Sequence, residues 1–386
     1  MSDDVVIVGG SLAGLYCAWR LAGQGVRVTV YDQLLPGQLP PRRTLIVTPE
    51  LLNLVPEVVS TGTVRNHICA YRLRTDGCTA LVPLSEADLV VERQELLRLL
   101  ARLAQEKGAE LRPGHALLHM VPTQEGLALQ FLDRRRMRKV HLCARTVVAA
   151  DGAVSRVARC AELDGRPRVP ILQARVELPD GWDPHTVDTW FEPEATPYFF
   201  WLIPDSPRSA AVGLVAEDSG SACRVLSSFL SNQHLKPQGM EAAWVPLYSM
   251  GLQPVRDFGR ARVYLVGDSA GQVKDTTVGG TVTGLKGAEA AASAIVQGLS
   301  YVDRLRDLRR ELLAHHLLRA LLNRFTRQDY QRLFAALNPR VLSLLAHHNR
   351  DHLATMLSRL VLAQPGLVVL AARSLLRAAT RSPRRR

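Results

Sequence analysis

Residues 4–32 read DVVIVGGSLAGLYCAWRLAGQGVRVTVYD, and this stretch decides the fold. The unbroken β-branched run over 5–8 is typical of a parallel strand that is buried on both faces. A glycine-rich turn follows, residues 15–25 have the composition of a helix, and residues 27–31 alternate as a second strand. The stretch therefore predicts a strand-helix-strand unit at the start of a doubly wound sheet.

The turn, GGSLAG over residues 9–14, has the G-x-G-x-x-G spacing of dinucleotide sites, with serine at the second glycine. Free backbone amides and the helix dipole attract a pyrophosphate there. An aspartate ends the second strand 18 residues after the last glycine, where its carboxylate can accept hydrogen bonds from a ribose. We predict an adenine dinucleotide here, and an ordinary α/β turn is the alternative. The predicted binding residues are Gly9, Ser11, Ala13, Gly14 and Asp32.

The chain of 386 residues is long enough for about two domains. Its six cysteines form no C-x-x-C pair, which argues against a dithiol relay, a cysteine-ligated cluster or a disulfide framework, and favours a reducing cytosol. We expect no metal site. No apolar run approaches the length of about 18 residues that a membrane span needs. We therefore expect a cytoplasmic protein.

Positive charge is concentrated at the end of the chain. Residues 301–386 hold 17 arginines, no lysine and five acids, which accounts for the whole net charge of +12. A predicted helix over 367–379 carries Arg373 and Arg377, and Arg381 continues their row. A basic helical tail beside a neutral body suggests contact with an anionic membrane, at its inner face. Nucleic acid is disfavoured because leucines needed for packing interrupt the charge.

Two elements in the middle of the chain add to the dinucleotide site. Helical spacing over 91–107 predicts a helix that Arg93 opens. An apolar strand over 145–150 ends in Asp151 and Gly152, the place where open α/β sheets bind ligands. Asp151 is therefore a candidate cofactor residue, although capping the next turn is the alternative.

A second sheet is predicted from two stretches. Asp76-Gly77 lies between alternating runs and predicts a tight hairpin. Residues 168–254 contain several strands rich in aromatic residues, and Phe199 and Trp201 are candidates for a wall that lines an apolar substrate pocket. The alternative for each of these rings is that it packs in the core of the sheet.

A late glycine turn gives the strongest signal. The run GDSAGQVKDTTVGG over residues 267–280 follows a buried strand and leads into a small-residue helix over 281–297. Amides at the start of this helix offer a positive end to a ligand. The candidate residues are Asp268, Gly279, Gly280 and Thr281.

Together these elements resemble the flavoproteins that share the p-hydroxybenzoate hydroxylase fold. Within that group, the late Lys-x-Thr-Thr-x-Gly-Gly continuation is similar to the geranylgeranyl reductase family. The resemblance implies FAD, with Arg93 near its phosphate or ribityl region, Asp268 at the ribityl chain or pyrophosphate, and the amides of Gly280 and Thr281 near the isoalloxazine. Departures occur too: Arg42-Arg43 stand where many members have Cys-Gly, and Val278 replaces a glycine.

The predicted fold is α/β, with a Rossmann-like FAD-binding domain, a mixed or antiparallel sheet domain for the substrate and a C-terminal helical region. We assign 1–68, 88–165 and 256–300 to the first, 69–87 and 166–255 to the second, and 301–386 to the third.

The predicted activity is reduction of C=C bonds in an isoprenoid or other apolar lipid, with no side chain assigned as catalytic. A polyprenyl compound is the expected substrate. Since only one dinucleotide fingerprint is present, we expect the reductant to be NADPH bound without its own Rossmann domain, or a reduced carrier protein. The alternatives are an FAD-dependent monooxygenase acting on an apolar or aromatic substrate, and a flavin-binding scaffold without activity.

Overall fold

A computed structural model of the chain describes residues 5–347 and 350–380. The strands, numbered in chain order, are β1 (Val5–Val8), β2 (Val28–Asp32), β3 (Thr44–Val47), β4 (Val64–Thr75), β5 (Cys78–Glu92), β6 (Glu110–Pro113), β7 (His115–Pro122), β8 (Leu127–Asp133), β9 (Arg138–Ala144), β10 (Thr146–Ala149), β11 (Arg168–Glu177), β12 (Thr186–Trp190), β13 (Phe200–Ser206), β14 (Ser209–Val215), β15 (Met240–Pro246), β16 (Val255–Phe258) and β17 (Ala261–Leu265).

The helices are α1 (Leu12–Ala22), α2 (Glu50–Leu54), α3 (Arg93–Glu106), α4 (Arg156–Cys160), α5 (Ser219–Asn232), α6 (Thr281–Gln297), α7 (Tyr301–Arg304), α8 (Arg306–Leu322), α9 (Arg327–Ala335), α10 (Pro339–His347), α11 (Leu353–Ala363) and α12 (Gly366–Thr380). Short 3₁₀ turns occupy Pro56–Thr61 and Gly267–Ala270.

The first sheet has six strands in the order β16-β17-β10-β1-β2-β6, all parallel except β16. Side chains of β1 alternate between two cores: Val5 and Ile7 face α1, α3 and α6, whereas Val6 and Val8 face α4 and the three-stranded sheet β7-β8-β9. Burial on both faces explains the continuous β-branched run. The predicted Rossmann-like α/β fold is confirmed.

The second sheet has eight strands in the order β15-β11-β14-β13-β12-β4-β5-β3, and is antiparallel except where β12 runs beside β4. One face packs on α5, and the other faces a cavity. Strand β3 belongs to this sheet although it lies within the predicted range 1–68, because it pairs antiparallel with the distal part of β5. The domain limits remain a prediction.

The long β5 runs up to the start of the next helix, which Arg93 opens as predicted. The helix expected over 91–107 begins at Arg93, since Val90, Val91 and Glu92 are still paired or buried in the strand, and the Glu92 side chain accepts a hydrogen bond from the Gln94 amide as its N-cap. Similarly, the helix expected over 15–25 begins at Leu12, because Ser11 caps it. In both cases a capping side chain sets the start.

The C-terminal helices cover the hairpin of β4 and β5 through a small aromatic core that includes Phe325, Tyr330 and Phe334. Helices α11 and α12 meet at an angle of 105°. Among the described residues no single helix is long and apolar enough to cross a membrane, although this bent pair together passes a test of length and composition.

Candidate functional site

A cavity of about 1380 Å³ lies where the two large sheets and the C-terminal helices meet. One end is formed by the turn after β1 and by the late turn before α6. Its long side is the inner face of the eight-stranded sheet, and residues of α8, α10 and α11 close the other end. The cavity therefore joins all three regions that the sequence predicts.

The turn after β1 forms a tight cradle. Gly9 has a φ of +107°, which favours glycine, and a Cβ on Gly9 would overlap the backbone of Ala150. A Cβ on Gly14 would overlap the carbonyl oxygen of Gly9. Ser11 stands at the second glycine position because its hydroxyl accepts a hydrogen bond from the Gly14 amide at 3.2 Å and caps α1. The cradle leaves backbone amides at the helix start for an anion.

Asp32 holds this cradle in place. Its carboxylate accepts hydrogen bonds from the amides of Gly10 at 2.7 Å and Leu34 at 2.8 Å, and the residue lines the cavity. Each carboxylate oxygen accepts more than one hydrogen bond, so these contacts are compatible with the predicted ribose contact.

The late turn packs directly against the first one. Gly267 has a φ of +62°, and a Cβ there would lie 2.8 Å from the side chain of Ala13. Asp268 follows it and lines the cavity. Burial raises the pKa of Asp268, while the charges of Arg93 and Arg43 oppose that shift. Residues 9–13 of the first turn and Asp268 therefore line the same end of one cavity.

Gly279, Gly280 and Thr281 also line the cavity where α6 begins. The amides of this first turn have no partner within the helix, so they can bind an anion or a polar ring edge. Val278, just before them, has a φ of +47°, which is unfavourable for a β-branched side chain. Valine thus strains the loop at this position, where the resemblance described above implies a glycine.

The two candidate arginines next to the cofactor end lie together. Arg93 and Arg43 both line the cavity, and the Arg93 amide donates to the carbonyl of Arg43 at 3.1 Å. Burial lowers the pKa of both guanidinium groups, although both remain charged. Arg42 is exposed, so only one member of the Arg42-Arg43 pair reaches the site.

Asp151 lines the cavity and also caps the helix that follows it, so its predicted role toward the cofactor stays a prediction. Its carboxylate accepts hydrogen bonds from the Ser155 hydroxyl at 2.5 Å and from the amides of Arg156 at 2.7 Å and Val157 at 3.1 Å. These bonds cap α4, the alternative that the sequence left open. The residue still lines the cavity, but its carboxylate already holds three donors.

The aromatic wall is divided between the two faces of β13. Phe199 and Trp201 line the cavity as predicted, whereas Phe200 packs on the other face against Phe229 of α5, with ring centroids 4.1 Å apart. Gly213 on β14 lies under the indole of Trp201, and a Cβ there would overlap the ring. The small residue thus lets the indole lie across the neighbouring strand.

Sequence reasoning missed a buried charged cluster at the closed end. Lys274 and Asp351 form an ion pair at 2.5 Å, and Thr48 donates to the same carboxylate. Beside it, Arg350 donates to Asp88 at 2.6 Å, as does the Tyr71 hydroxyl at 2.5 Å. Only Lys274 lay in a recognised motif; its partners are separated from it by tens of residues.

Ionisation within this cluster is fixed by the ion pairs. Burial by itself would raise the pKa of Asp351, but the Lys274 ammonium and the hydrogen bonds lower it to about 2. Burial also raises the pKa of the Tyr71 hydroxyl well above its ordinary value, so it stays protonated at neutral pH.

The predicted arginine row on the last helix is corrected in part. Arg373 is exposed, but Arg377 donates to the buried carboxylate of Asp329 on α9 and so fixes α12 to the body of the protein. Arg381 lies outside the described residues. Two of the three arginines therefore give no support for an exposed basic row.

Comparison with known proteins agrees with this geometry. The profile of the family described as FAD binding domain matches residues 2–300. Digeranylgeranylglycerophospholipid reductase 2 of Methanopyrus kandleri is 28% identical over 337 residues, covering 80% of this chain and 82% of the relative.

Solved structures share the whole fold. A geranylgeranyl bacteriochlorophyll reductase-like protein from Thermoplasma acidophilum matches with a TM-score of 0.79 at 17% identity, covering 96% of this chain and 99% of that chain. The p-nitrophenol 4-monooxygenase of Pseudomonas putida DLL-E4 matches with a TM-score of 0.65 at 17% identity, covering 99% of each chain. At this identity the two likenesses concern the fold alone.

The glycine cradle has no room for side chains and presents free amides, as a bound dinucleotide requires, so its residues fit FAD. The family match extends over more than half of the chain and includes this cradle. The chain therefore belongs to the FAD binding domain family, and it is a flavin-dependent oxidoreductase similar to the geranylgeranyl reductases.

Proposed function

We propose that this oxidoreductase reduces carbon–carbon double bonds of an isoprenoid or other lipid-like substrate. The observation that carries the proposal is the shape of the cavity, which continues from the FAD cradle along an apolar sheet face. Side chains on that face are Leu73, Val82, Ile171, Val187, Phe199, Trp201, Ile203 and Val245. A long hydrocarbon chain suits such a wall, and the name of the Methanopyrus relative refers to a lipid of this class.

When bound, reduced FAD supplies a hydride for one carbon of the alkene, and a proton completes the second carbon. The protein positions the alkene and keeps water away from it. Phe199 and Trp201 line the cavity and would hold the hydrocarbon chain against the sheet, and the amides of Gly280 and Thr281 would hold the cofactor. Excluding water matters because an unactivated alkene accepts hydride poorly.

Anaerobic turnover tests the proposal. The purified yellow protein is photoreduced without oxygen and mixed with geranylgeranyl lipids, and flavin absorbance and product mass are followed. We expect reoxidation, with a gain of two hydrogens for each reduced bond. Reoxidation that requires oxygen and adds one oxygen atom to the product would instead establish the monooxygenase alternative. This alternative is tested because the nitrophenol enzyme shares the fold of this chain. The same assay with NADPH or a reduced carrier protein identifies the reductant.

We also propose that the bend between α11 and α12 docks on an anionic membrane and receives the lipid there. Its outer surface is apolar: Leu362 is 81% exposed and Leu376 is 67% exposed, and Val361, Val368, Val369 and Leu375 are exposed beside them. Met356 and Thr355 of α11 line the cavity, so the same helix contributes to the cavity wall and to the exposed apolar surface. The net charge of +12 in residues 301–386 favours anionic lipid.

Co-sedimentation with vesicles tests the docking surface. We expect binding to vesicles of phosphatidylglycerol but not of phosphatidylcholine, and we expect the double substitution Leu362→Asp, Val369→Asp to abolish it. Met137→Asp is the control, since Met137 is 73% exposed on the distant three-stranded sheet. Equal binding of both variants would show that the bend is not the membrane contact.

A further inference from the structure

A hydrogen-bonded chain of side chains connects α8 to the late turn. Thr276 is partly exposed and lines the cavity, and its hydroxyl contacts Nδ1 of His315 at 2.5 Å. His315 is 2% exposed and lies behind the cavity wall. Its Nε2 lies 3.2 Å from a carboxylate oxygen of Glu311, one turn earlier on α8, and 3.1 Å from the carbonyl oxygen of Arg350. The buried imidazole therefore meets the cavity through the Thr276 hydroxyl.

The carboxylate of Glu311 is fixed by the start of α11. It accepts hydrogen bonds from the amide of Leu353 and, at 3.0 Å, from the amide of Ala354. Burial by itself would raise the pKa of Glu311, but the hydrogen bonds from His315 and from these two amides lower it. Glu311 is therefore ionised at neutral pH, and its oxygens can only accept hydrogen bonds.

These contacts decide which ring nitrogen of His315 carries a proton. Both partners of Nε2 are acceptors, so Nε2 is an N–H donor in the neutral ring and in the imidazolium. In the neutral ring, Nδ1 accepts a hydrogen bond from the Thr276 hydroxyl. In the imidazolium, Nδ1 donates to the Thr276 oxygen, and the hydroxyl proton is free for a ligand in the cavity. Thr276 can thus pass a proton between the buried ring and the cavity.

Backbone hydrogen bonds fix the loop that presents Thr276. The Lys274 amide donates to the carbonyl of Gly279 at 3.1 Å, and the Thr277 amide donates to the carbonyl of Lys274 at 3.1 Å. Gly280 follows directly and lines the cavity where α6 begins. The hydroxyl is thus held on a closed loop, a few residues before the amides that we expect beside the isoalloxazine.

We propose that the Thr276 hydroxyl protonates the alkene and that His315 supplies Thr276 with a new proton, while Glu311 holds the ring in the required tautomer. The proposal rests on the proposed function for the identity of the acceptor. As the π bond breaks, one carbon gains a hydride from reduced FAD, which is oxidised by two electrons. The other carbon forms its new C–H bond with the hydroxyl proton. The Thr276 oxygen takes the Nδ1 proton in the same step, so His315 ends neutral and regains a proton from solvent.

Single turnovers test the relay in the photoreduced, FAD-loaded protein, which is mixed with a geranylgeranyl lipid without oxygen. We expect Thr276→Val, which keeps the shape but removes the hydroxyl, to slow flavin reoxidation about 100-fold and to leave the Kd of the lipid unchanged. Thr276→Ser should restore most of the rate. His315→Gln keeps a donor toward Glu311 but cannot pass on a proton, so it should slow the reaction to a similar extent.

The adjacent residues provide matched controls. Thr277 also lines the cavity, but its hydroxyl has no hydrogen-bond partner among the described residues, so Thr277→Val should keep the wild-type rate. His316 follows His315 on α8, but its Nδ1 contacts the carboxylate of Asp275 at 2.8 Å, and neither of these two residues lines the cavity. His316→Gln should therefore keep the wild-type rate as well.

A second measurement needs no turnover. In protein labelled with ¹⁵N-histidine, the ring signals that are missing from His315→Gln identify His315, and their shifts report which nitrogen carries the proton. In the neutral ring we expect the proton on Nε2. We also expect the Nδ1 shift to change in Thr276→Val but not in Thr277→Val.

Turnover of Thr276→Val at the wild-type rate would overturn the proposal, because the proton would then come from another source such as bound water. An equal loss of rate in Thr277→Val would overturn it too, since the effect would then belong to the loop and not to the hydroxyl. So would a neutral ring with its proton on Nδ1. The expected nitrogen shifts in a protein that reduces no lipid would support the Thr276–His315 relay while removing the proposed function.

Discussion

The two ends of the cavity are built in different ways. At the cofactor end, glycines and backbone amides from two short contiguous runs, residues 9–14 and 267–281, form the cavity wall. At the closed end, polar and charged side chains far apart in the chain meet: Thr48 and Asp351 are separated by 303 positions, and Asp88 and Arg350 by 262. The comparison teaches that a cofactor site can be anticipated from local sequence, while a buried charged cluster depends on tertiary assembly.

The largest effect expected is at the cofactor end. Gly14→Val places a branched side chain where even a Cβ overlaps the Gly9 carbonyl, so the turn must open. We expect the affinity for FAD to fall by about a thousandfold or more, equivalent to about 4 kcal/mol. Flavin content and reconstitution with FAD measure it. Gly251→Val is the control, since no atom lies within 4 Å of a Cβ there; a yellow Gly14→Val protein would contradict the cradle.

The next effect concerns stability at the closed end. Lys274→Met leaves the buried Asp351 without its ammonium partner, and we expect the free energy of unfolding to fall by about 3–5 kcal/mol. Lys286→Met is the control: its pair with Glu50 is partly exposed, at 28% and 22%, and should contribute about 0–1 kcal/mol. Urea unfolding of the FAD-loaded proteins distinguishes them. Similar losses in both variants would remove the contrast between the buried cluster and the surface.

A smaller effect follows from pH. The pKa of Asp351 is about 2 in the folded protein, against about 3.9 in an unfolded chain. Its contribution to stability is therefore complete above the unfolded value and is lost as the pH falls through the folded value. We expect on the order of 2 kcal/mol to disappear between about pH 5 and pH 2. Unfolding of wild type and Asp351→Asn across this range should converge as the pH falls; parallel curves would speak against the shift.

The smallest effect concerns the apolar wall between the two ends. Gly213→Ala places a Cβ against both the Trp201 indole and the backbone carbonyl oxygen of Leu172 on β11, so the ring and the neighbouring strand must both shift. We expect lipid to bind about tenfold more weakly, equivalent to about 1.4 kcal/mol, while the FAD content stays unchanged. Adding Trp201→Phe relieves the overlap with the ring but not the overlap with the Leu172 carbonyl, and should recover only part of the affinity. A loss of FAD in the Gly213→Ala variant would show that a change in the sheet wall also disturbs the glycine cradle.

Much of the cofactor end could be predicted from sequence because its parts are local. The start and end of α6, Thr281 and Gln297, agree with the predicted 281–297, since glycines bound the helix on both sides. Asp151 was harder to assign, because a carboxylate after a strand is equally suited to a ligand and to a helix cap. Arg377 was misread because helical spacing shows which residues share a row but not that Asp329 lies beneath it.

The closed end was unpredictable for a related reason. No spacing rule links Lys274 to Asp351 or Asp88 to Arg350, since each pair forms only after the C-terminal helices dock on the β4–β5 hairpin.

The ion pairs that cross from the body to the last helices bear on how the protein can be dissected. A fragment cut at residue 300, where the family likeness stops, would keep Lys274 and Asp88 but lose Asp351 and Arg350. It would also lose the helices that close one end of the pocket. The region matched by the family profile is thus not a self-contained structural unit of this chain, because its buried ion pairs and one end of its cavity depend on residues beyond 300.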